Sequence, residues 1–164
     1  MADLNLIQGD ITQFKGDAIV NAANTGLVGG GGVDGAIHRA AGPELDIACR
    51  KLHGCPTGEA KVTPGFNLPV KIIIHPAGPI WRDGSFEEPK LLRNCYENSL
   101  KRAVENHCQT VAFPSISTGI YGYPLDKACE IAVATIRHFE AALQVTMVAF
   151  DKSTYRAFEK AMLA

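Results

Sequence analysis

A surplus of positive charge is missing from this 164-residue chain: 16 Lys and Arg stand against 17 Asp and Glu. A protein that neutralises several phosphates of a nucleic acid needs a basic face, so nucleic-acid binding is not indicated. Long apolar runs are missing too. No stretch approaches the ~20 residues of a membrane helix, and no membrane association is expected. The opening Met1-Ala2-Asp3-Leu4-Asn5 has neither the charge nor the apolar run of a secretory signal. Cys49, Cys55, Cys95, Cys108 and Cys129 are odd in number, form no C-x-x-C pair and lie in apolar contexts. They read as reduced core thiols, which places the chain in the cytoplasm. There is no H-E-x-x-H and no carboxylate cluster, so neither a metal nor a cofactor is expected. The absence of G-K-S or G-K-T argues against a nucleotide triphosphatase. No linker, repeat or low-complexity segment divides the chain, which reads as one domain over 1–164. With 46% apolar residues it can bury a core without disulfide or metal.

What is present alternates strands with helices. Leu4-Asn5-Leu6-Ile7-Gln8 reads as a strand, and Gly16-Asp17 turns into another at Ala18 to Asn21. Helices are expected over Gly35–Ala41 and Pro43–Leu52, the second with Leu45, Ala48, Cys49 and Leu52 on one face. Gly58–Thr63 reads as a short edge strand. Lys71-Ile72-Ile73-Ile74-His75 reads as a strand buried on both faces. A helix follows from Pro89 to Asn106, with Leu92, Cys95, Tyr96, Ser99, Leu100 and Ala103 at helical spacing. Then come a strand at Thr110–Pro114, a helix from Pro124 to about Ala142, and a strand at Val145–Phe150. Asp151 or Ser153 can cap a closing helix to Met162. The pattern predicts an α/β fold: a three-layer α/β/α sandwich on a mixed, mostly parallel sheet of about six strands.

One segment concentrates the chemistry. After the strand ending Ala18-Ile19-Val20, the chain places Asn21 and Asn24 in a turn, runs Gly29-Gly30-Gly31-Gly32, and enters a helix through Val33-Asp34-Gly35. Glycine lets a loop wrap a ligand closely, and amides at a helix start face anions well. Asn24 and Asp34 are the strong polar side chains at the two ends of the loop. Asp34 is either a helix N-cap or a chemical group, and Asn24 either a left-handed turn residue or a ribose contact. His38 falls one turn after Asp34 on nearly the same face, as a core or supporting histidine. Gly30 to Gly35 also satisfies G-x-G-x-x-G, but too far from its strand for a dinucleotide fold.

A second loop, Ser115-Ile116-Ser117-Thr118-Gly119-Ile120-Tyr121-Gly122-Tyr123, also joins a strand to a helix. Its amides can cradle a pyrophosphate without a lysine. Ligands of open α/β sheets bind beyond the carboxyl ends of strands, so both loops should face one pocket. Asp10, in Gly9-Asp10-Ile11-Thr12, is either a turn residue or an acceptor for an exocyclic amine. Phe150 is either core or a stacking surface for a base.

Together, Gly9-Asp10-Ile11-Thr12, Val20-Asn21-Ala22-Ala23-Asn24, the stretch from Gly29 to His38, Ala41-Gly42-Pro43, the stretch from Pro114 to Pro124 and Phe150-Asp151 resemble a macrodomain of the MacroD type. The segments occur in family order and span nearly the whole chain. The resemblance implies ADP-ribose as ligand. It assigns Asp10, with Ile11 beside it, to the adenine amine, and Phe150 to the adenine face. It assigns Ser115, Ser117, Thr118, Gly119, Ile120 and Tyr121 to the diphosphate, the last three closest. Gly30, Gly31, Gly32 and Val33 would cover the phosphates and the distal ribose with backbone. Asn21 is counted among the ligand-binding residues, and Asn24 with Asp34 form the catalytic pair at the distal ribose. The implied substrates are O-acetyl-ADP-ribose and proteins carrying mono-ADP-ribose on acidic side chains, hydrolysed without a metal. The rival reading is a non-catalytic reader of ADP-ribose; a dinucleotide oxidoreductase fits less well. Pro76 departs from the threonine or valine expected there. The ligands of the zinc-bearing subclass and the G-G-G-x-x-E-E signature of poly-ADP-ribose glycohydrolases are absent.

Overall fold

The computed structural model describes residues 2–164. Six strands form one sheet: β1 (Asp3–Gln8), β2 (Gly16–Val20), β3 (Ala60–Pro64), β4 (Val70–Pro76), β5 (Thr110–Phe113) and β6 (Gln144–Ala149). Their order is β1-β6-β5-β2-β4-β3. Five strands run parallel, and β3 alone pairs antiparallel, at the edge. The helices are α1 (Gly32–Ala41), α2 (Pro43–Arg50), α3 (Glu88–Glu105), α4 (Leu125–His138) and α5 (Lys152–Leu163), and a single 3-10 turn covers Ile11–Gln13.

The period-two alternation of strands divides the core. Ala18, Val20, Ile74, Val111, Phe113, Val145 and Met147 face a cluster built from α3, α4 and α5. Ile19, Ile73, Ala112 and Val148 face α1, α2 and the 3-10 turn through Ile37, Leu45, Cys49 and Ile11. Strands clothed on both faces carry continuous β-branched runs, which is why Ile72-Ile73-Ile74 read as a buried strand. The result is an α/β/α sandwich. All five cysteines are buried as free thiols.

Several boundaries differ from expectation. α1 starts at Gly32 rather than Gly35, with Gly31 at its N-cap. Asp34 therefore lies inside the first turn and is not the cap. α2 ends at Arg50, two residues before Leu52. Pro124 caps α4 rather than opening it, and α4 stops at His138, where Phe139 turns extended. The chain must then bring buried Leu143 and strand β6 back to the sheet. Asp151, not Ser153, caps α5, its carboxylate accepting from the Thr154 amide at 2.8 Å.

Candidate functional site

The topology brings four strand ends to one edge. β1, β6, β5 and β2 are neighbours and parallel, so the segments after Gln8, Ala149, Phe113 and Val20 emerge side by side. From β2 the chain goes on through α1 and α2 toward β3 and β4; from β5 it goes through α4 to β6 in the opposite direction. A crevice opens at such a reversal, here between the glycine loop and the Ser-Thr-Gly loop.

The glycine loop folds back on the helix it feeds. A Cβ on Gly35 would lie 2.5 Å from the Gly30 carbonyl oxygen, so only glycine permits this approach. Asp34 is buried and accepts two hydrogen bonds, from Asn21 Nδ2 at 2.7 Å and from the Gly30 amide at 2.8 Å, and His38 Nε2 lies 3.3 Å from its Oδ1. A carboxylate has about four lone-pair directions, so room remains for a water or hydroxyl. Asp34 also sits in the first turn of α1, where negative charge is favoured. The amides of Gly32, Val33 and Asp34 lack intrahelical acceptors by their position and point out of the helix start. Asn24 closes a ring with Val28, its Oδ1 accepting from the Val28 amide at 3.1 Å and its Nδ2 donating to the Val28 carbonyl at 2.7 Å. Leu27, with φ of 55°, takes the left-handed position of that turn, not Asn24.

The second loop is braced from behind. The Thr118 hydroxyl donates to Ser115 Oγ at 2.7 Å, and the Ser117 carbonyl accepts from the Tyr123 amide at 2.9 Å. Ser117 is left-handed, with φ of 67°, and its buried hydroxyl has no partner among the described residues. Gly78 lets it sit there, because a Cβ on Gly78 would clash with that hydroxyl. The Tyr121 carbonyl accepts from the Trp81 amide at 2.9 Å, tying the loop to the 81–86 segment. That segment wraps the buried carboxylate of Glu88. Oε2 accepts from the amides of Arg82, Asp83 and Gly84 at 3.0, 3.3 and 3.0 Å, and Oε1 from Phe86 at 2.7 Å. Burial alone would raise the Glu88 carboxyl; backbone amides of Arg82, Glu88 itself, Gly84 and Phe86 outweigh it and bring its pKa down to about 2.

The two loops line one cleft of about 270 Å³. Of the residues expected at a site, Asn24, Gly30, Gly31, Gly32, Val33, Asp34, Ser115, Ser117, Gly119, Ile120 and Tyr121 meet there. Asn21 does not: it is fully buried, and its carboxamide is engaged by Asp34, His75 and the Ala22 amide. Thr118 supports the loop from outside the lining. Asp10 and Phe150 sit farther along the same strand edge, joined by the Gly9 amide donating to the Ala149 carbonyl at 2.9 Å. Phe150 is 78% exposed, which removes the core alternative. Asp10 caps the 3-10 turn, one carboxylate oxygen accepting from the Thr12 amide and hydroxyl at 2.9 and 2.7 Å. Its other oxygen has no hydrogen bond among the described residues, and Asp10 is exposed. Ile11 is buried beneath it, against α1. Ala22, Ala23, Gly78 and Ile116 also line the cleft. Ile116 belongs to the expected second loop, while Ala22, Ala23 and Gly78 were not singled out; for Gly78, its place between two prolines just after a strand was the available signal.

Comparison with known proteins gives concordant results. A profile of the family described as Macro domain matches residues 20–132. A "Macro domain-containing protein" of Lactiplantibacillus plantarum is 56% identical, covering 100% of this chain and 98% of its own length. A solved macrodomain of Oceanobacillus iheyensis with ADP has a TM-score of 0.94 at 44% identity, covering 98% of this chain and 90% of that one. A Trypanosoma brucei macrodomain in complex with ADP-ribose has a TM-score of 0.89 at 42% identity, covering 96% of this chain and 68% of that one.

Proposed function

This chain belongs to the macrodomain family, and on that premise we propose that it is an ADP-ribose-binding hydrolase that cleaves esters on the distal ribose. Its substrates are O-acetyl-ADP-ribose, from which it releases acetate, and proteins carrying mono-ADP-ribose on acidic side chains. The observation that carries the reading is the meeting of Asn24 and Asp34 with two amide-rich loops in one cleft. The solved relatives that hold ADP and ADP-ribose support the choice of ligand.

In this reading the adenine stacks on exposed Phe150, and its exocyclic amine donates to the free oxygen of Asp10. The diphosphate lies across the first-turn amides of α1 and those of Gly119, Ile120 and Tyr121. The distal ribose then reaches Asn24 and Asp34. A water held by a free lone pair of Asp34 and by a phosphate oxygen of the substrate adds to the ester carbonyl. The bond from acyl carbon to ribose oxygen breaks, the ribose leaves as the alcohol, and the acid is released. Fixing water and ester in one cleft supplies the orientation such a step needs.

A second reading, a reader that binds without hydrolysing, draws on two contacts. Asn24 is closed on Val28, and Asp34 already accepts from Asn21 and the Gly30 amide. One assay separates the two. The protein is incubated with O-acetyl-ADP-ribose and with a glutamate-ADP-ribosylated target, each with EDTA present, and release is followed by chromatography. Turnover of either ester is expected. Tight binding of ADP-ribose with no release would establish the reader instead, and turnover only after metal is restored would overturn the metal-free chemistry.

A further inference from the structure

The hydrolase reading uses Asp34, Asp34 is held by Asn21, and Asn21 is held by a histidine that no ligand reaches. His75 lies on β4 with no exposed surface. Its Nδ1 is 3.2 Å from Asn21 Nδ2, and its Nε2 is 2.8 Å from the hydroxyl of Thr63 on the edge strand β3. The Asn21 carboxamide sets the direction of this chain of bonds. Its oxygen accepts from the Ala22 amide at 2.8 Å, so its nitrogen faces inward. One N–H goes to Asp34 Oδ1 at 2.7 Å and the other to His75. A donor cannot face a donor, so Nδ1 is the bare acceptor and Nε2 carries the proton, donated to Thr63. Burial first, and then the nearby His38, push the ring's pKa down to about 3, so the ring is neutral.

We infer that Thr63 and His75 are positioning residues: a buried relay that fixes the orientation of Asn21 and, through it, the carboxylate of Asp34. The inference rests on the hydrolase reading of Asp34. Without the Thr63 hydroxyl, the Nε2 proton has no acceptor, and the tautomer protonated at Nδ1 is no longer disfavoured. That tautomer presents a donor to Asn21. The carboxamide answers by turning over, which withdraws its N–H from Asp34 and sets oxygen against oxygen. A change outside the cleft thus reaches the carboxylate inside it.

The test is a pair of substitutions. Thr63→Val keeps the shape and removes the hydroxyl; Thr63→Ser keeps the hydroxyl. For Thr63→Val, kcat on O-acetyl-ADP-ribose should fall about tenfold while KM and the Kd for ADP-ribose stay within about threefold, since a misplaced group remote from the ligand costs orientation rather than binding. Thr63→Ser should keep the wild-type kcat. With ¹⁵N-labelled histidine, wild-type His75 should stay neutral and protonated on Nε2 from about pH 8 to about pH 5, and Thr63→Val should move the proton toward Nδ1. A folded Thr63→Val protein with wild-type kcat, even with a lower Tm, would reduce the relay to a structural bond and overturn the inference. So would a wild-type His75 protonated on Nδ1. A wild-type protein that hydrolyses neither ester sinks the hydrolase reading itself. The relay is then decided by NMR: the Asn21 side-chain amide resonances shift with the His75 tautomer in Thr63→Val, or they do not and the relay fails.

Discussion

Asp34→Asn tests the chemistry most directly, and the contacts around Asp34 set what it should do. The carboxylate accepts on both oxygens: Oδ1 from Asn21, with His38 Nε2 3.3 Å away, and Oδ2 from the Gly30 amide. An asparagine must turn one of these positions into a donor. Placing its nitrogen toward Asn21 opposes a fully buried donor and faces His38 as well. Placing it toward Gly30 opposes an amide in an exposed segment that can turn to water. The second arrangement costs less, so the new carboxamide should keep its oxygen on Asn21 while the loop at Gly30 lifts. The weakened amide costs about 1 kcal/mol, and losing the negative charge in the first turn of α1 adds about 0.3–1 kcal/mol. A loss of about 1–2 kcal/mol lowers the Tm of a domain this size by roughly 2–8 °C. ADP-ribose, as product, should still bind within about tenfold, while hydrolysis falls roughly 100-fold or more, the scale for a lost acid–base or water-holding group. Steady-state release of acetate, calorimetry with ADP-ribose and a thermal melt read the three quantities separately. Wild-type turnover in the folded variant would refute the role given to Asp34 and leave the chemistry to Asn24 and the substrate's own phosphate.

Gly119→Glu should abolish ADP-ribose binding in calorimetry with little change in Tm. A Cβ there meets no atom within 4 Å, so the fold tolerates it while the new carboxylate repels the diphosphate; unchanged affinity would remove the second loop from the site. The hypoxanthine analogue of ADP-ribose lacks the exocyclic amine and should bind about 1.5–3 kcal/mol more weakly, a preference that Asp10→Ala should erase; equal affinities would leave Asp10 as the cap of its 3-10 turn. Glu88→Gln should loosen the 81–86 segment and, through Trp81, the Tyr121 end of the cleft. Because the folded Glu88 pKa is depressed to about 2, the charged group stabilises fully above the unfolded carboxyl pKa of about 4.3 and loses that contribution as pH falls toward 2. The Tm gap between wild type and Glu88→Gln should therefore be constant near neutrality and close below about pH 4; a gap that persists at pH 2 would contradict the amide cage.

Residue periodicity exposes the fold, and interleaved glycine and polar residues expose most of the cleft. The apolar face of α3, Leu92, Cys95, Tyr96, Ser99, Leu100 and Ala103, is buried as its spacing requires. What stays hidden is polar chemistry inside apolar elements. His75 ends a run of isoleucines and reads as part of a core strand; its partners Asn21 and Thr63 stand 54 and 12 residues away. Nothing local marks a bond whose other end lies on another strand. Glu88 lies just before the expected start of its helix at Pro89 and drew no role from the sequence, yet it is buried and meets four amides of the segment before it. The start of α1 is hidden as well, because Gly32 is a poor helix former and so reads as loop.

Where α1 starts bears on how the site is built. With Asp34 in the first turn instead of at the cap, its carboxylate is free of capping duty and reaches back to the Gly30 amide. Gly35 packs against the carbonyl of the same residue. The start of the helix, the fold-back of the loop and the aim of the carboxylate therefore meet at one residue, Gly30, through its amide and its carbonyl. A substitution at Gly30 or Gly35 cannot disturb one without the others. Gly35→Ala, which drives a methyl into the Gly30 carbonyl, should lower Tm and ADP-ribose affinity together, whereas Asp34→Asn should separate affinity from turnover. Finding Gly35→Ala with a lowered Tm but wild-type affinity and turnover would show that the loop finds its cleft geometry without the helix beneath it.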